Sequence, residues 1–212
     1  RLLIDDAGSL FVGTGDAGLL GSGAISPTGP DAITVNGTAY GLAGAGITVN
    51  GQPASPAALR VGMVVAIEAF TATGGGAVAR SVTYRAEAQG VVTGVDSVAQ
   101  SFDVLGQRIR VDRQTILEGG TFATLQSQFV EVSGFRVVPG EVLASRVEIR
   151  PQYVPGSVPL EVTGTVGAVD PAARTLRIGA LVVDYSRLMA GTVPSPLSPG
   201  ITLTARGMQD AA

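Results

Sequence analysis

The sequence predicts an all-β chain built from three tandem small five-stranded units, the third short of its closing strand, preceded by an extended N-terminal arm. Three observations predict it. The first is a repeat. Gly90-x-Val92-x-x-Val95-Asp96 followed by Phe102-x-Val104 returns as Gly164-x-Val166-x-x-Val169-Asp170 followed by Leu176-x-Ile178, every residue shifted by 74 positions. The second is composition. Gly occurs 30 times, aromatic residues make up 5% and charged residues 15%, while Val, Ile, Ala and Leu fall in short alternating runs. Short alternating runs between Gly-rich turns give strands with one buried and one wet face. The third is turn chemistry. Asn36-Gly37 and Asn50-Gly51 are pairs in which both residues tolerate the positive φ of a tight hairpin. No segment sustains helical periodicity over about ten residues, so only short helical turns near 54–60 and 121–128 are expected.

The elements are taken in chain order. Residues 1–22 combine an apolar strand-like arm, Leu2-Leu3-Ile4 and Ser9-Leu10-Phe11-Val12, with a Gly-rich linker that begins at Gly13. Unit one, 23–87, holds strands at 32–35 and 46–49, the run Leu59–Phe70, a Gly74-Gly75-Gly76 loop and a closing strand at 77–84. Unit two, 88–152, holds a strand at Phe129–Phe135 and a closing strand at 142–149; Ala79/Val82 and Ala144/Val147 mark a shared register in the two closing strands. Unit three, 153–212, repeats the Leu59–Ala69 run at Leu197–Gly207, and the residues after Gly207 are too few to supply a counterpart of 142–149. Five short strands in each unit of about 65 residues, with alternating faces, suit a small, partly open barrel of OB-like type.

Several of these segments together resemble a bacterial family of unknown function. They are Val49-Asn50-Gly51, Leu59-x-Val61-Gly62-Met63-Val64-Val65, Gly90-Val91-Val92-Thr93-Gly94-Val95-Asp96, Phe129-Val130-Glu131-Val132-Ser133-Gly134-Phe135 and Leu143-Ala144-Ser145-Arg146-Val147-Glu148. The resemblance spans about residues 20–207. It implies tandem OB-like β repeats in secreted proteins or lipoproteins, hence an extracellular, periplasmic or outer-membrane setting, and it brings no catalytic residues. The chain departs from the pattern at Ser127, where Gly62 and Gly200 lead one to expect glycine.

Composition narrows the chemistry. The chain has no His and no Cys, and all 14 of its basic residues are Arg. It therefore has no imidazole base, thiolate nucleophile or Schiff-base lysine. No cofactor is expected, since neither His nor Cys is available as a usual axial ligand of haem. Asp96 and Asp170 each end a strand, where aspartate caps its own turn. Asp5, Asp6 and Asp16 are the densest acidic group but lack the spacing of a calcium loop, so no metal site is expected. Gly13-x-Gly15-x-x-Gly18 spells a dinucleotide fingerprint without the strand–turn–helix context that gives it meaning. Tyr40, Tyr84, Tyr153, Tyr185, Phe70, Phe102 and Phe135 are read as core rather than as a stacking face. A net charge of −3 disfavours nucleic acid, and no apolar run is long enough for a transmembrane helix.

Two apparent defects fit one another: a unit without a closing strand, and an apolar arm on a flexible tether. The expectation is a non-enzymatic structural protein that self-associates head to tail, the arm (Leu3, Ile4, Leu10, Phe11, Val12) adding to an acceptor edge (Ile201, Leu203, Ala205) of the next copy's third unit. A single chain folding its own arm back is the monomeric variant. The alternative is a monomeric envelope module that recognises a glycan, a peptide or a partner protein of the envelope.

Overall fold

The computed structural model describes residues 1–3, 9–12, 21–27, 29, 31–73, 75–151, 153–154 and 157–209. Among them there is no α-helix; nineteen strands fall into two sheets. The chain divides into two compact units, one formed by Gly15–Arg85 and one by Arg1–Thr14 together with Ala86–Ala212. The arm gives β1 (Leu2–Leu3) and β2 (Ser9–Val12). Copy one gives β3 (Gly21–Ser26), β4 (Ala32–Val35), β5 (Thr38–Gly41), β6 (Gly46–Val49), β7 (Gln52–Ala54), β8 (Val64–Thr71) and β9 (Ala77–Tyr84). Copy two gives β10 (Ala88–Asp96), β11 (Ser101–Val104), β12 (Gln107–Arg110), β13 (Ile116–Glu118), β14 (Phe129–Val138) and β15 (Glu141–Ile149). Copy three gives β16 (Leu160–Asp170), β17 (Thr175–Ile178), β18 (Leu181–Asp184) and β19 (Thr202–Gln209).

The ladder of copy two returns on itself. β10 pairs with β11 and β11 with β12, both antiparallel; β12 runs parallel to β15; β15 pairs antiparallel with β14, which comes back to β10. Copy one makes the same circuit through β3, β4, β5, β9 and β8, with β5 and β9 as the parallel pair. Both circuits carry an added strand on the far half of the closing strand: β6 runs parallel to β9, and β13 runs parallel to β15.

One turn fixes the correspondence among all three copies. Gly62, Ser127 and Gly200 adopt φ of 87°, 64° and 92°. Their amides donate to Ile25 O, Val92 O and Val166 O at 2.8, 3.1 and 2.8 Å, and those same three residues donate back to Met63 O, Gln128 O and Ile201 O. The positive φ explains the glycines, because an L side chain is disfavoured there. Ser127 keeps the conformation without that freedom. The turn also divides the run Leu59–Phe70, which is strand only from Val64 onward. The short helical turns are single 3-10 turns at Pro56–Ala58 and Phe122–Thr124, and a third lies at Ala190–Thr192.

Packing obeys the alternation. Val92, Phe102, Val104, Ile109, Val130, Val132, Val142 and Val147 form one core. Leu160, Val162, Val166, Leu176, Ile178, Val183, Leu203 and Ala205 form another, and Leu105 packs against both. Gln107, fully buried, donates through Nε2 to Ile178 O at 2.8 Å and ties copy two to copy three. No helix among the described residues is long and apolar enough to cross a membrane.

Candidate functional site

The circuit of copy three passes through the arm. β16 pairs with β17 and β17 with β18; β18 then runs parallel to β1, β1 is antiparallel to β19, and β19 returns to β16. Counting from the shared turn shows how closely the arm stands in for a closing strand. Tyr84 faces Val65, Ile149 faces Val130 and Val12 faces Leu203. Val82 faces Ile67, Val147 faces Val132 and Leu10 faces Ala205. Beyond a bulge, Val78 faces Phe70, Leu143 faces Phe135 and Leu3 faces Met208. The parallel contact matches as well: Ala77 lies opposite Tyr40, Val142 opposite Ile109 and Leu2 opposite Val183. β1 and β2 therefore take, residue for residue, the places of the two halves of β15.

Of the arm residues singled out from the sequence, Leu3, Leu10, Phe11 and Val12 lie on this ladder, and Ile4 lies outside the described residues. Of the acceptor edge, Leu203 and Ala205 are opposite Val12 and Leu10 and are fully buried. Ile201 precedes β19 and accepts from Val166 N at 2.9 Å instead of facing the arm. Sequence reasoning did not single out Leu2, which is 0% exposed among Val183, Leu203 and Ala205. Burying such a side chain is worth roughly 1.5–3 kcal/mol. It also left out β18 as an acceptor, although Val183 lies 74 positions after Ile109.

One ion pair marks the start of the arm: the Arg1 guanidinium binds the Asp184 carboxylate. Asp184 is buried and accepts from Ser186 N at 2.8 Å. Burial alone would push its carboxyl up, but the Ser186 backbone and side chain and Arg1 outweigh it and hold the group below the usual range. Along β19 the arm also faces Arg206, opposite Ser9, while Leu203, Thr204 and Ala205 are uncharged, with Thr163 and Thr204 sharing a hydroxyl hydrogen bond of 2.9 Å. What this arrangement offers is strand pairing and a core socket.

The other sequence candidates find ordinary places. The Asp96 carboxylate accepts from Val98 N and Ala99 N, both at 2.9 Å, and Asp170 accepts from Ala172 N and Ala173 N at 3.0 and 2.9 Å. Tyr40, Tyr84, Tyr185 and Phe102 are buried, Tyr153 stacks on Phe129 at 5.2 Å, and Phe70 and Phe135 are half exposed at corresponding positions of copies one and two. Asp5, Asp6, Asp16 and the Gly13–Gly18 stretch lie outside the described residues. Among the described residues no cluster of metal-ligating side chains occurs.

The model of a domain of unknown function, DUF5666, matches residues 22–83 and again 89–148, more than half of the chain. Each matched segment ends in its own closing strand. Neither a curated protein nor a solved structure matches the sequence.

Proposed function

This chain belongs to the DUF5666 family, and from that membership and the strand pairing above we propose that it is a non-enzymatic structural protein of the cell envelope or extracellular space. In this reading its units are OB-like five-stranded barrels, and copies associate head to tail, the arm of one closing the third barrel of the next. One observation carries the proposal: β1 and β2 occupy copy three in the register of β15 without being contiguous with it. An arm that makes its contacts through strand pairing makes the same contacts in its own subunit or in a neighbour's, so tether geometry and concentration decide between them. Donor and acceptor patches differ, and such a heterologous contact propagates into filaments or rings.

The chain has no cysteine, which makes the test clean. Leu10→Cys and Ala205→Cys place two thiols at directly opposed positions of β2 and β19, within reach of a disulfide. After oxidation of the full-length protein, a ladder of covalent multimers on a non-reducing gel, matched by filaments or rings in negative stain, is the expected result. A single intramolecular species at every concentration overturns self-association. Removal of residues 1–12 is expected to leave copies one and two folded and to abolish assembly; assembly that survives the deletion overturns arm exchange.

A second reading, a monomeric module that binds a glycan, a peptide or an envelope partner, is favoured by an open groove of about 790 Å³ beside Arg1, Val91, Leu105, Leu160 and Leu181. The monomeric outcome of the disulfide experiment would favour it.

A further inference from the structure

In copies one and two the far half of the closing strand has a neighbour on both sides. β8 or β14 covers one side, and on the other β6 or β13 runs parallel to it. The two added strands share one register. Ile47 lies opposite Val82 and Leu117 opposite Val147; Thr48 and Glu118 come next, opposite Thr83 and Glu148. In copy three the corresponding half is β2, with Leu10 at the place of Val82 and Val147. β19 pairs with one side of it. On the other side the ladder stops: β2 is the last strand of its sheet, and among the described residues no second strand pairs with it.

The sequence supplies the reason. The interval between the third strand and the left-handed turn gives β6 and β7 in copy one and β13 in copy two. In copy three the same interval, from Tyr185 to Pro199, holds Pro194, Pro196 and Pro199 and a single 3-10 turn. Proline has no amide for a ladder and is excluded from strands flanked by neighbours. Copy three thus forms no added strand of its own between Tyr185 and Pro199, and among the described residues the outer edge of Ser9–Val12 has no strand paired to it. An open edge is a template for another strand.

We propose that this outer edge is a docking site for an extended segment of a partner polypeptide, which adds in parallel with an aliphatic residue in register with Leu10 and a polar residue in register with Phe11. The orientation and the residue pattern are those of β6 and β13. Parallel addition argues for a different partner chain rather than a second copy of the same edge, since two β2 edges related by a two-fold axis would meet antiparallel. β6 and β13 are already engaged within their own copies. The site exists whether the arm seated in copy three is its own or a neighbour's, so it stands apart from the assembly proposal.

Two labelled peptides serve as probes, one with the sequence of residues 45–51 (Ala-Gly-Ile-Thr-Val-Asn-Gly) and one with that of 114–120 (Gln-Thr-Ile-Leu-Glu-Gly-Gly). Each is titrated into the full-length protein by fluorescence anisotropy, and amide hydrogen exchange of the protein is monitored with and without saturating peptide. The expected result is saturable binding, peptide-dependent protection confined to Ser9–Val12, and affinity about tenfold weaker when alternate peptide amides are N-methylated. Binding that ignores N-methylation, or peptide that leaves Ser9–Val12 exchange unchanged, overturns the site. In protein whose arm is fixed in copy three by the oxidised Leu10→Cys/Ala205→Cys pair, protection of Ser9–Val12 that rises with protein concentration in the absence of peptide overturns the partner assignment in favour of a second copy.

Discussion

Copies two and three build the same closed ladder from chain segments of opposite provenance. In copy two the closing strand is joined to its neighbour by the short Pro139-Gly140 turn, and β14 and β15 form one hairpin. In copy three the closing strand is remote in sequence; Arg1 and Asp184 are 183 positions apart. The fastening differs as well. β15 is held by an ion network in which Arg146 pairs with Glu118 and Glu148, and Arg150 pairs with Glu131 and Glu148, both at 3.0 Å. The arm carries Ser9 and Phe11 at the places of Arg146 and Glu148, and among the described residues its ion pair is the one between Arg1 and Asp184. Register and a core socket thus define a closing strand, while covalent continuity and charge decide how firmly it stays.

The largest test of that contrast is a pair of core truncations. Leu2→Ala should cost about 2–5 kcal/mol and Val142→Ala about 2 kcal/mol. Their reach should differ: Leu2→Ala frees the arm and raises amide exchange in Leu181–Asp184 and Thr202–Gln209, whereas Val142→Ala lowers the stability of copy two as a whole. Equal exchange in both copies after Leu2→Ala would erase the distinction between a removable and a fixed closure.

The next effect comes from pH. Glu87 extends β10 by one residue, donating to Val132 O at 2.9 Å and accepting from Thr163 N at 2.8 Å. Burial pushes its carboxyl from 4.5 to about 7, against the pull of Arg136 at 3.6 Å. The folded state then binds more protons than the unfolded state between those values, so stability falls as pH rises through that window, by about 1–3 kcal/mol. Glu87→Gln should flatten the slope in denaturant titrations from pH 4.5 to 7; an unchanged slope would assign it to other groups.

A smaller effect separates the arm from β15 electrostatically. The Asp184 carboxyl is held below its ordinary value, so its contribution is present above that value and is lost as pH falls through the lowered one. Arg1 is half exposed, and Arg1→Ala should cost about 0.5–1 kcal/mol near neutrality. That cost should vanish in acid, where thermal unfolding of the variant and the parent converge.

The smallest effect concerns the shared turn. Ser127→Gly should stabilise copy two by about 0.5–1 kcal/mol, and Gly200→Ser should destabilise copy three by a similar amount. Chemical denaturation of both variants checks the pair, and a loss of stability in Ser127→Gly would mean that the serine side chain does more than tolerate the turn.

Much of this was legible in the residues. Asn-Gly pairs, the Ala-x-x-Val register and the 74-residue repeat pointed to the hairpins and to both contiguous closing strands, and the apolar run in Ser9–Val12 marked it as strand. Other parts left little trace. Leu2–Leu3 is too short for a period to be read. β6 and β13 join their sheets by parallel pairing, which has no turn signature to announce it. The Leu59–Met63 stretch is as apolar as a strand, but the left-handed turn at Gly62 excludes it from the ladder. Ile201 shares the apolar character of Leu203, yet the same turn at Gly200 places it ahead of the edge rather than on it.

The closing strand of copy three is also synthesised long before its socket. At about 5–20 residues per second, tens of seconds separate the appearance of Leu2 from that of the β19 backbone it pairs with. Copies one and two can fold meanwhile from local contacts, while the arm waits with its strand unpaired. The Asp5-Asp6 pair within it is the kind of charge that keeps a waiting apolar strand from pairing promiscuously. A chain interrupted before Thr202 would offer its arm no socket of its own. Closure of the third copy therefore comes last in the order of synthesis, after both contiguous closing strands are complete.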